Sequence, residues 1–455
     1  MKIHALILVA IFVLTPFSTF AQKKVKPNAE VIKMLKEISA GNIENSIRKL
    51  ASFGTRNTLS EQDNPTRGIG AARDYLFGEF QKISKDCGDC LTVEKQTFLQ
   101  AAQPPPRGRV PAATNLTNIV ATLKGTTDPD RIYVVSGHYD SMCNLDATDA
   151  KCDAPGANDD ASGTAAVLEM ARVMSKRKFD ATIIFMTVPG EEQGLLGATY
   201  FAKQAVEKKM NIEAMFTNDI IGGVTSYKNA PDRQSVRVFA EGVPSNETET
   251  EANLRRSVGG ENDSASRQLG RFIKETADVY SPKFRVQMVY RRDRYGRGGD
   301  HIPFLEQGFA AVRFTEPHED YTHQHQSVKI VDGKQFGDLP EFVDFGYVAS
   351  VARINTASLA ALALAPARPK NVAVITTRLT NDTDLKWVAN TDADLAGYEI
   401  VWRDTLAAFW TDSLFVGNVT NYTAKEMSKD NFFFGVRAVD KDGNKSPVSY
   451  PKPVR

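Results

Sequence analysis

The segment TIIFMTVPGEEQGLLGATYFA, residues 182–202, joins an apolar run to a helical pattern. Pro189 and Gly190 mark a turn between the two, and the adjacent acids Glu191 and Glu192 follow that turn. An apolar run that passes through a turn into a helix is typical of an α/β sheet. Two carboxylates this close together repel each other. A solvated helix N-terminus would accommodate them, because the first amides of a helix are unpaired.

β-rich runs and helical patterns alternate on both sides of this segment, which predicts an α/β fold. We expect a mixed, mostly parallel central sheet flanked by helices. The predicted strands are residues 118–123, 132–136, 182–188, 215–221, 284–290 and 310–314. The predicted helices are residues 29–50, divided near Gly41, then 70–83, 163–174, a helix from 194, 265–279 and 345–364.

The last part of the chain has a different texture. APARPKN, residues 365–371, is rich in proline and is predicted to be an uncompacted linker. Short alternating runs follow, including GYEIVWR at 397–403 and FFFGVRAVDKDGNKSP at 432–447. This part resembles a fibronectin type III module, which is a small all-β sandwich. The predicted domains are therefore residues 22–365 and 366–455.

The N-terminus is typical of an export signal. Lys2 precedes an apolar stretch from Ile3 to Leu14, and Ala21 supplies a small residue for cleavage. Residues 1–21 are thus predicted to be a signal peptide, and the mature protein is expected to be secreted or periplasmic. A later run of 18 uninterrupted apolar residues is absent from the sequence, so we expect no membrane span.

Charge gives little information about partners. The chain has 56 Lys and Arg residues against 55 Asp and Glu, a net charge of +1. This balance provides no field that would draw the protein onto nucleic acid or an acidic membrane.

The four cysteines lie in two neighbouring pairs. In an exported protein this arrangement suggests the disulfides Cys87–Cys90 and Cys143–Cys152. The motif CGDC also fits half a zinc knuckle or a redox pair, although no second CxxC accompanies it.

Three of the predicted strands end in acids or histidine. His138 and Asp140 follow the strand at 132–136, the Glu191–Glu192 pair follows 182–188, and Asp219 ends the run from 215. Ligands of an open α/β sheet gather beyond the carboxyl ends of its strands. We therefore expect these side chains to converge.

Two loops supply further candidates. APGANDDASGTAA, residues 154–166, places Asp159 and Asp160 where a helix begins, with Asp160 and Ser162 as the better capping residues. HEDYTHQHQS, residues 318–327, contains three histidines. Two imidazoles and three carboxylates suit zinc or a similar divalent ion. Two such ions could share one carboxylate and activate a water between them.

A metal site would also explain the adjacent acids. If Glu192 binds the ion, its charge is neutralised, and Glu191 can remain beside it as an unligated base.

The motifs SGHYDS, PGANDDASGTAA, VPGEEQGLLGA, TNDIIG and YTHQHQ, in this order, resemble those of metallopeptidase family twenty-eight, the co-catalytic zinc aminopeptidases of leucine-aminopeptidase type. The resemblance covers residues 115–364. It implies a zinc aminopeptidase fold and two Zn²⁺ ions per chain. The implied metal ligands are His138, Asp159, Glu192, Asp219 and His325, with Asp159 bridging both ions.

The resemblance also implies roles for residues that do not bind metal. Glu191 would be the general base, and Asp140 would orient the imidazole of His138. Asp300 and His301, in GRGGDHIPF, match a pair that supports the site without ligating.

The late histidine is the open choice. The family commonly has one histidine followed by Thr and Asp, whereas this chain offers His318, His323 and His325 without the trailing acid. HQS fits a degenerate form of that ending, so His325 is favoured over His323. His318 follows Pro317 and is interpreted as a loop residue, and Tyr295 and Arg297 as surface residues.

The predicted function is hydrolysis of N-terminal residues from peptides or proteins with a free N-terminus. Dipeptidase and carboxypeptidase activities stay open. One alternative is a glutaminyl cyclase-like enzyme with a single zinc. Another is an inactive adhesion protein whose C-terminal module contacts a surface or polymer.

Overall fold

The computed structural model describes residues 27–106, 108–225 and 230–455. The predicted signal peptide, residues 1–21, lies outside them.

An eight-stranded mixed sheet forms the centre of the larger domain, in the order β1-β2-β4-β3-β5-β8-β6-β7. Neighbours are parallel at β4/β3, β3/β5, β5/β8 and β6/β7, and antiparallel elsewhere. The strands are β1 (Leu91–Gln100), β2 (Thr114–Leu123), β3 (Asp128–His138), β4 (Ala181–Val188), β5 (Asn211–Asn218), β6 (Ser235–Phe239), β7 (Arg285–Val289) and β8 (Ala311–Thr315). A separate hairpin pairs β9 (Lys329–Val331) with β10 (Lys334–Phe336).

Helices cover both faces of this sheet. They are α1 (Ala29–Glu37), α2 (Ala40–Ala51), α3 (Gly68–Asp86), α4 (Ala161–Met174), α5 (Leu196–Glu207), α6 (Glu249–Ser257), α7 (Ala265–Tyr280), α8 (Ile302–Glu306) and α9 (Phe345–Leu364). Alternate residues of β4 serve the two faces: Phe185 packs with α4 and α9, and Met186 with α5 and α8. The predicted α/β architecture is confirmed.

The parallel register brings three strand ends to one level. His138 pairs with Val188 across β3 and β4, and Ser136 pairs with Thr217 across β3 and β5. The residues that follow these strands therefore emerge together at one edge of the sheet.

Some elements differ from the sequence-based expectation. Gly41 does not separate the first two helices; it lies in the first turn of α2, whose N-cap is Ser39. The break comes earlier because the Ser39 hydroxyl accepts the amide of Asn42 and starts the new helix. Strand β1 was not predicted, and it pairs with β2 along its whole length.

Helix α9 is long and apolar enough to cross a membrane, with a mean hydropathy of 1.3. However, 78% of that window is buried inside the protein. A core helix of an α/β domain has the same character, so its composition reflects burial against the sheet.

The C-terminal part is a small β-sandwich. Its strands are β11 (Lys370–Ile375), β12 (Thr383–Val388), β13 (Leu395–Asp404), β14 (Asp412–Gly417), β15 (Asn421–Ala424), β16 (Phe432–Asp440) and β17 (Lys452–Val454). They form the sheets β15-β12-β11-β17 and β14-β13-β16. Trp387 and Tyr398 meet in the core between the sheets, with ring centroids 5.2 Å apart. The likeness to fibronectin type III stays a prediction.

The predicted loose linker is compact. Ala365, Pro366 and Pro369 are buried, and Nη1 of the buried Arg131 donates to the carbonyl of Ala365 over 2.7 Å. Proline fixes the backbone here without preventing it from packing.

A cluster of buried polar side chains joins the sandwich to α7, and we call it the interdomain cluster. Asp263 accepts from Arg271 through Oδ1 at 2.8 Å and from Arg403 of β13 through Oδ2 at 2.7 Å. Trp410 Nε1 donates to Gln268 Oε1 over 3.0 Å. The cluster is Asp263, Gln268, Arg271, Arg403 and Trp410.

Both expected disulfides are present. Cys87 is bonded to Cys90 just after α3, and Cys143 to Cys152 in the loop after β3. CGDC is therefore a local disulfide rather than half of a zinc knuckle.

Candidate metal centre

The five predicted ligands lie together at the carboxyl edge of the sheet. Together with Glu191 they form two groups, each with one candidate ligand atom per residue within 4.8 Å of the others. One group is His138, Glu191 and Asp219, and the other is Asp159, Glu192 and His325. Residues from five distant segments thus form one cluster, and three of these segments are the predicted strand ends.

Asp159 lies between the two groups. Its Oδ1 is 3.1 Å from Nε2 of His138, and its Oδ2 is 2.7 Å from Nε2 of His325. His325 Nε2 is also 3.1 Å from Oε1 of Glu192, and His138 Nε2 is 3.8 Å from Oδ1 of Asp219. Each oxygen of Asp159 therefore faces a different pair of candidate ligands.

The carboxylate of Asp338 binds the backbone amides around Asp159. Asp338 accepts the amide of Asn158 through Oδ1 at 2.8 Å and the amide of Asp159 through Oδ2 at 2.7 Å. Gln324 Nε2 donates to Asp159 Oδ2 over 3.0 Å. Asp338 and Gln324 were not identified from the sequence, because they lie 179 and 165 residues away from Asp159.

Asp160 accepts hydrogen bonds from backbone amides, whereas its neighbour Asp159 faces the candidate ligands. Its Oδ1 caps α4 by accepting the amide of Gly163 at 2.9 Å, and its Oδ2 accepts the amide of His138 at 3.0 Å. The peptide bond between Asp159 and Asp160 is cis. Of the two predicted capping residues, Asp160 is the N-cap, while Ser162 donates to the carbonyl of Asn158.

Asp140 connects His138 to the adjacent acids. Its Oδ1 lies 3.3 Å from Nδ1 of His138. Its two oxygens also accept the amides of Glu191 at 3.3 Å and Glu192 at 3.2 Å, and Oδ2 accepts the hydroxyl of Thr58 at 3.1 Å. Asp140 is thus placed to orient the imidazole, as the resemblance implies. Thr58 was not identified from the sequence, because it lies 82 residues away from Asp140.

The adjacent acids are not on a solvated helix end. Helix α5 begins only at Leu196, after Leu195 in the left-handed conformation with φ of 62°. Glu192 is buried and Glu191 is half-buried. The first interpretation of this pair, a solvated helix N-terminus, is therefore wrong.

The structure brings His325 into the centre and leaves the other two late histidines outside it. His323 stacks on Phe342 with ring centroids 3.7 Å apart and lies 3.7 Å from Asp320. His318 is exposed. His325 itself has φ of 54°, and its carbonyl accepts the amide of Leu145 at 3.3 Å.

Charge in the centre is strongly perturbed. Burial raises the pKa of Glu191 well above its usual range, with help from Asp219 and Glu192. Burial alone would raise the pKa of Asp219, but the Arg313 guanidinium and the His138 imidazole hold it below its ordinary value. Arg313 is fully buried, with Nη2 3.0 Å from Oδ2 of Asp219. This arginine was missed because β8 showed only an apolar pattern.

The pKa values of the two imidazoles, His138 and His325, are also shifted. Burial disfavours the charged form of His325, yet Glu192 and Asp159 raise its pKa to about 11. The carboxylates of Asp140, Asp159 and Asp219 likewise raise the pKa of His138 despite its burial. The carboxylates therefore strongly stabilise positive charge at the centre.

The unpartnered atoms of the centre fit metal ligation. Both ring nitrogens of His138 and Oε1 of Glu192 are buried and have no hydrogen-bond partner among the described residues. Such atoms are costly to bury unless something else satisfies them. Imidazole nitrogen and carboxylate oxygen are both zinc ligands, so the residues present fit the ion.

Both residues of the predicted supporting pair interact with the centre, since His301 is influenced by the charge of Asp219 and Asp300 by that of His138. Burial raises the pKa of Asp300 to about 7, and both oxygens of Asp300 are buried without a hydrogen-bond partner among the described residues. His301 Nε2 lies 2.8 Å from the carbonyl of Arg292. Tyr295 is 82% exposed, whereas Arg297 pairs with Glu319 at 2.5 Å and is not a simple surface residue.

Residues 118–336, which contain all the candidate ligands, match the model of peptidase family M28. A probable zinc metalloprotease of Leptosphaeria maculans is 47% identical over 427 residues, 94% of this chain and 98% of the relative. The chain belongs to peptidase family M28. Another relative of this M28 peptidase, a probable zinc metalloprotease of Pyrenophora tritici-repentis, is 46% identical over 429 residues, 94% of this chain and 88% of the relative.

A solved structure shares the fold of this M28 peptidase. LapA of Legionella pneumophila, which is described as an aminopeptidase, covers 75% of this chain and 78% of its own. Its TM-score is 0.53 at 19% sequence identity. The mixed sheet with flanking helices is thus the fold that LapA also has.

Proposed function

We propose that this M28 peptidase is a secreted aminopeptidase of leucine-aminopeptidase type that holds two zinc ions and removes N-terminal residues from peptides. The observation that carries the proposal is the position of Asp159. Its two oxygens face His138 and His325 at 3.1 and 2.7 Å, so one carboxylate serves two ligand groups. Two-ion hydrolase sites share a carboxylate in this way.

The residues that would hold the ions follow from this arrangement. His138 and Asp219 would hold one ion, Glu192 and His325 would hold the other, and Asp159 would contribute to both. Bound zinc supplies Lewis acidity toward the scissile carbonyl and makes a water acidic near neutral pH.

Glu191 is the proposed general base. Its carboxylate belongs to the His138–Asp219 group. In the proposed assignment Asp159 supplies the third ligand of that group, which leaves Glu191 free to act as a base. Its raised pKa suits a group that accepts a proton from the attacking water and then delivers it to the leaving amine. Asp140 keeps His138 oriented while the proton moves.

Export and the terminal module belong to the same proposal. Two disulfides outside the centre are compatible with an oxidising compartment, as the predicted signal peptide requires. The sandwich is proposed to be a fibronectin type III-like module that contacts a surface or polymer.

A peptide panel tests the proposal. Purified full-length protein is given peptides with free and acetylated N-termini, with and without a chelator, and bound zinc is counted. We expect two zinc ions per chain and release of the first residue from free peptides only, lost with the chelator and restored by zinc.

Three results would contradict it. Cleavage of acetylated peptides at the C-terminus would indicate a carboxypeptidase. One zinc per chain with ammonia release from N-terminal glutamine would indicate a cyclase, and zinc binding without any turnover would favour the adhesion protein.

A further inference from the structure

The loop between β1 and β2 reaches the metal centre. Within this loop, residues 101–113, Arg109 donates from Nη1 to the backbone carbonyl of Glu192 over 2.7 Å. Glu192 is a candidate ligand, and Glu191 beside it is the proposed base. The guanidinium of Arg109 is therefore fixed at the rim of the metal centre. It contacts the residue that directly follows Glu191, the proposed base.

The loop is anchored next to Arg109. Val110 is fully buried with Leu116 and Leu196, the first residue of α5. Its amide and carbonyl both bond to Gln103, at 3.0 and 2.7 Å. The position of Arg109 is thus set by packing of Val110 against α5, the helix that follows the turn with Glu191 and Glu192.

Other arginines around the centre already have partners. Arg313 lies 3.0 Å from Asp219, Arg297 lies 2.5 Å from Glu319, and the buried Arg56 donates to the carbonyls of Tyr139, Pro155 and Gly156. Arg109 differs because it is exposed and, among the described residues, no carboxylate lies within 4.0 Å of it.

The exposed acid Asp146 does not form an ion pair with Arg109. Asp146, on the loop closed by Cys143–Cys152, feels Arg109 as a minor influence that lowers its pKa. Its Oδ1 accepts from the amide and hydroxyl of Thr148, at 2.9 and 2.7 Å. Nη1 of Arg109 is occupied by the Glu192 carbonyl, so the edge formed by Nε and Nη2 is available. That edge matches the two oxygens of a carboxylate.

We propose that Arg109 determines specificity by binding a carboxylate of the substrate, either a C-terminal carboxylate or an acidic side chain next to the scissile bond. The proposal rests on the proposed peptidase function, because the carboxylate must lie within one residue of the hydrolysed bond. The substrate class is therefore short peptides with a free C-terminus, or peptides acidic beside the cleaved bond.

Four dipeptides separate the two sources of the carboxylate. Ala-Ala amide is the neutral reference, Ala-Ala has a free C-terminus, Ala-Asp amide has an acid on the leaving residue, and Asp-Ala amide has one on the N-terminal residue. kcat and KM are measured for each with the wild-type zinc-loaded protein, Arg109→Gln and Arg109→Lys. Gln retains a donor for the Glu192 carbonyl without the charge.

We expect at least one acidic substrate to have a higher kcat/KM than Ala-Ala amide in the wild type. Arg109→Gln should reduce that preference roughly tenfold, through KM, since one charge-assisted bidentate contact is worth about that factor. Arg109→Lys should restore part of it. Arg378→Gln, which removes an exposed charge from the sandwich, should leave the preference intact.

Two results would overturn the inference. One is a wild type that cleaves Ala-Ala amide as well as every acidic substrate, and the other is an Arg109→Gln protein that loses activity equally on all four. The second result would make Arg109 a residue that only positions Glu192. If the wild type cleaves none of the four, the peptidase proposal itself fails.

Discussion

The protein buries two clusters of charge, and they are balanced in different ways. In the interdomain cluster, each oxygen of Asp263 has its own guanidinium, Arg271 at 2.8 Å and Arg403 at 2.7 Å. In the metal centre, acids outnumber the cations, and buried atoms of His138 and Glu192 have no hydrogen-bond partner among the described residues. Unpartnered atoms also occur in the first cluster, at Nη2 of Arg271 and Nε of Arg403, but its carboxylate has cations within the chain. The excess acids of the second cluster favour a cation from outside the chain. The first therefore holds the fold together, and the second is built for chemistry.

The largest expected effect is on turnover, and it tests whether Glu191 of the metal centre acts in catalysis and not in zinc binding. Glu191→Gln removes the proposed base but none of the five ligands, so turnover should fall by about 10²–10⁴-fold. Zinc content should stay at two per chain, measured by metal analysis beside peptide hydrolysis. Glu207→Gln, an exposed change in α5, is the control and should have wild-type turnover. Substantial activity in Glu191→Gln would remove this residue from the mechanism.

The next test compares equivalent substitutions in the two clusters. Asp263→Ala leaves two buried guanidinia without their carboxylate and should lower the free energy of unfolding by about 3–5 kcal/mol. Asp159→Ala takes one carboxylate away from His138 and His325, but Glu192 and Asp219 still face these imidazoles. The zinc-free Asp159→Ala protein should therefore lose less stability than the Asp263→Ala protein does. Its stabilisation by added zinc should disappear, since the shared ligand is gone. Urea unfolding of both variants, each with and without zinc, measures these stabilities.

The comparison would fail if the two substitutions behaved alike. A large loss of stability in zinc-free Asp159→Ala would show that the centre is a structural cluster like the other one.

The smallest expected effect concerns a buried acid that belongs to neither cluster. Glu316 accepts from Asn158 Nδ2 at 2.9 Å and from the amide of Gly223, and burial raises its pKa to about 8. The folded state thus binds a proton that the unfolded state releases near pH 4.5, so this residue lowers stability as pH rises from about 4.5 to 8.

Glu316→Gln should remove that loss. The variant should gain a few kcal/mol at most over the wild type at pH 9 relative to pH 5, since each pKa unit is worth about 1.4 kcal/mol. Urea unfolding at the two pH values measures the difference, and Glu341→Gln, in the exposed Pro340–Phe342 turn, is the matched control. An equal pH dependence in wild type and Glu316→Gln would place the ionised form of Glu316 in the folded state.

The part of the fold and site that was predictable is the part encoded locally. The runs that become β3, β4 and β5 are apolar and end in His138, Glu191–Glu192 and Asp219, so their convergence followed from the rule for parallel strands. Strand β1 was missed because LTVEKQTFLQ carries charges on its exposed side and lacks a continuous apolar run.

Residues that act over long sequence distances left no local pattern. Thr58 contacts Asp140 across 82 positions, and Asp338 supports Asp159 across 179. The segment 365–371 looked loose for the same reason, since its partner Arg131 lies 234 positions before Ala365. Packing of this kind is visible only after the chain has folded.

The pairing of Ser136 with Thr217 places His138 and Asp219 at the same height on neighbouring strands. Side chains alternate between the faces of a strand, so only an even change in the length of β5 would keep Asp219 pointing the same way. One inserted residue before Thr217 would turn it to the opposite side without altering the composition of the centre. Parity along this strand is therefore as much a condition of activity as the identity of any ligand.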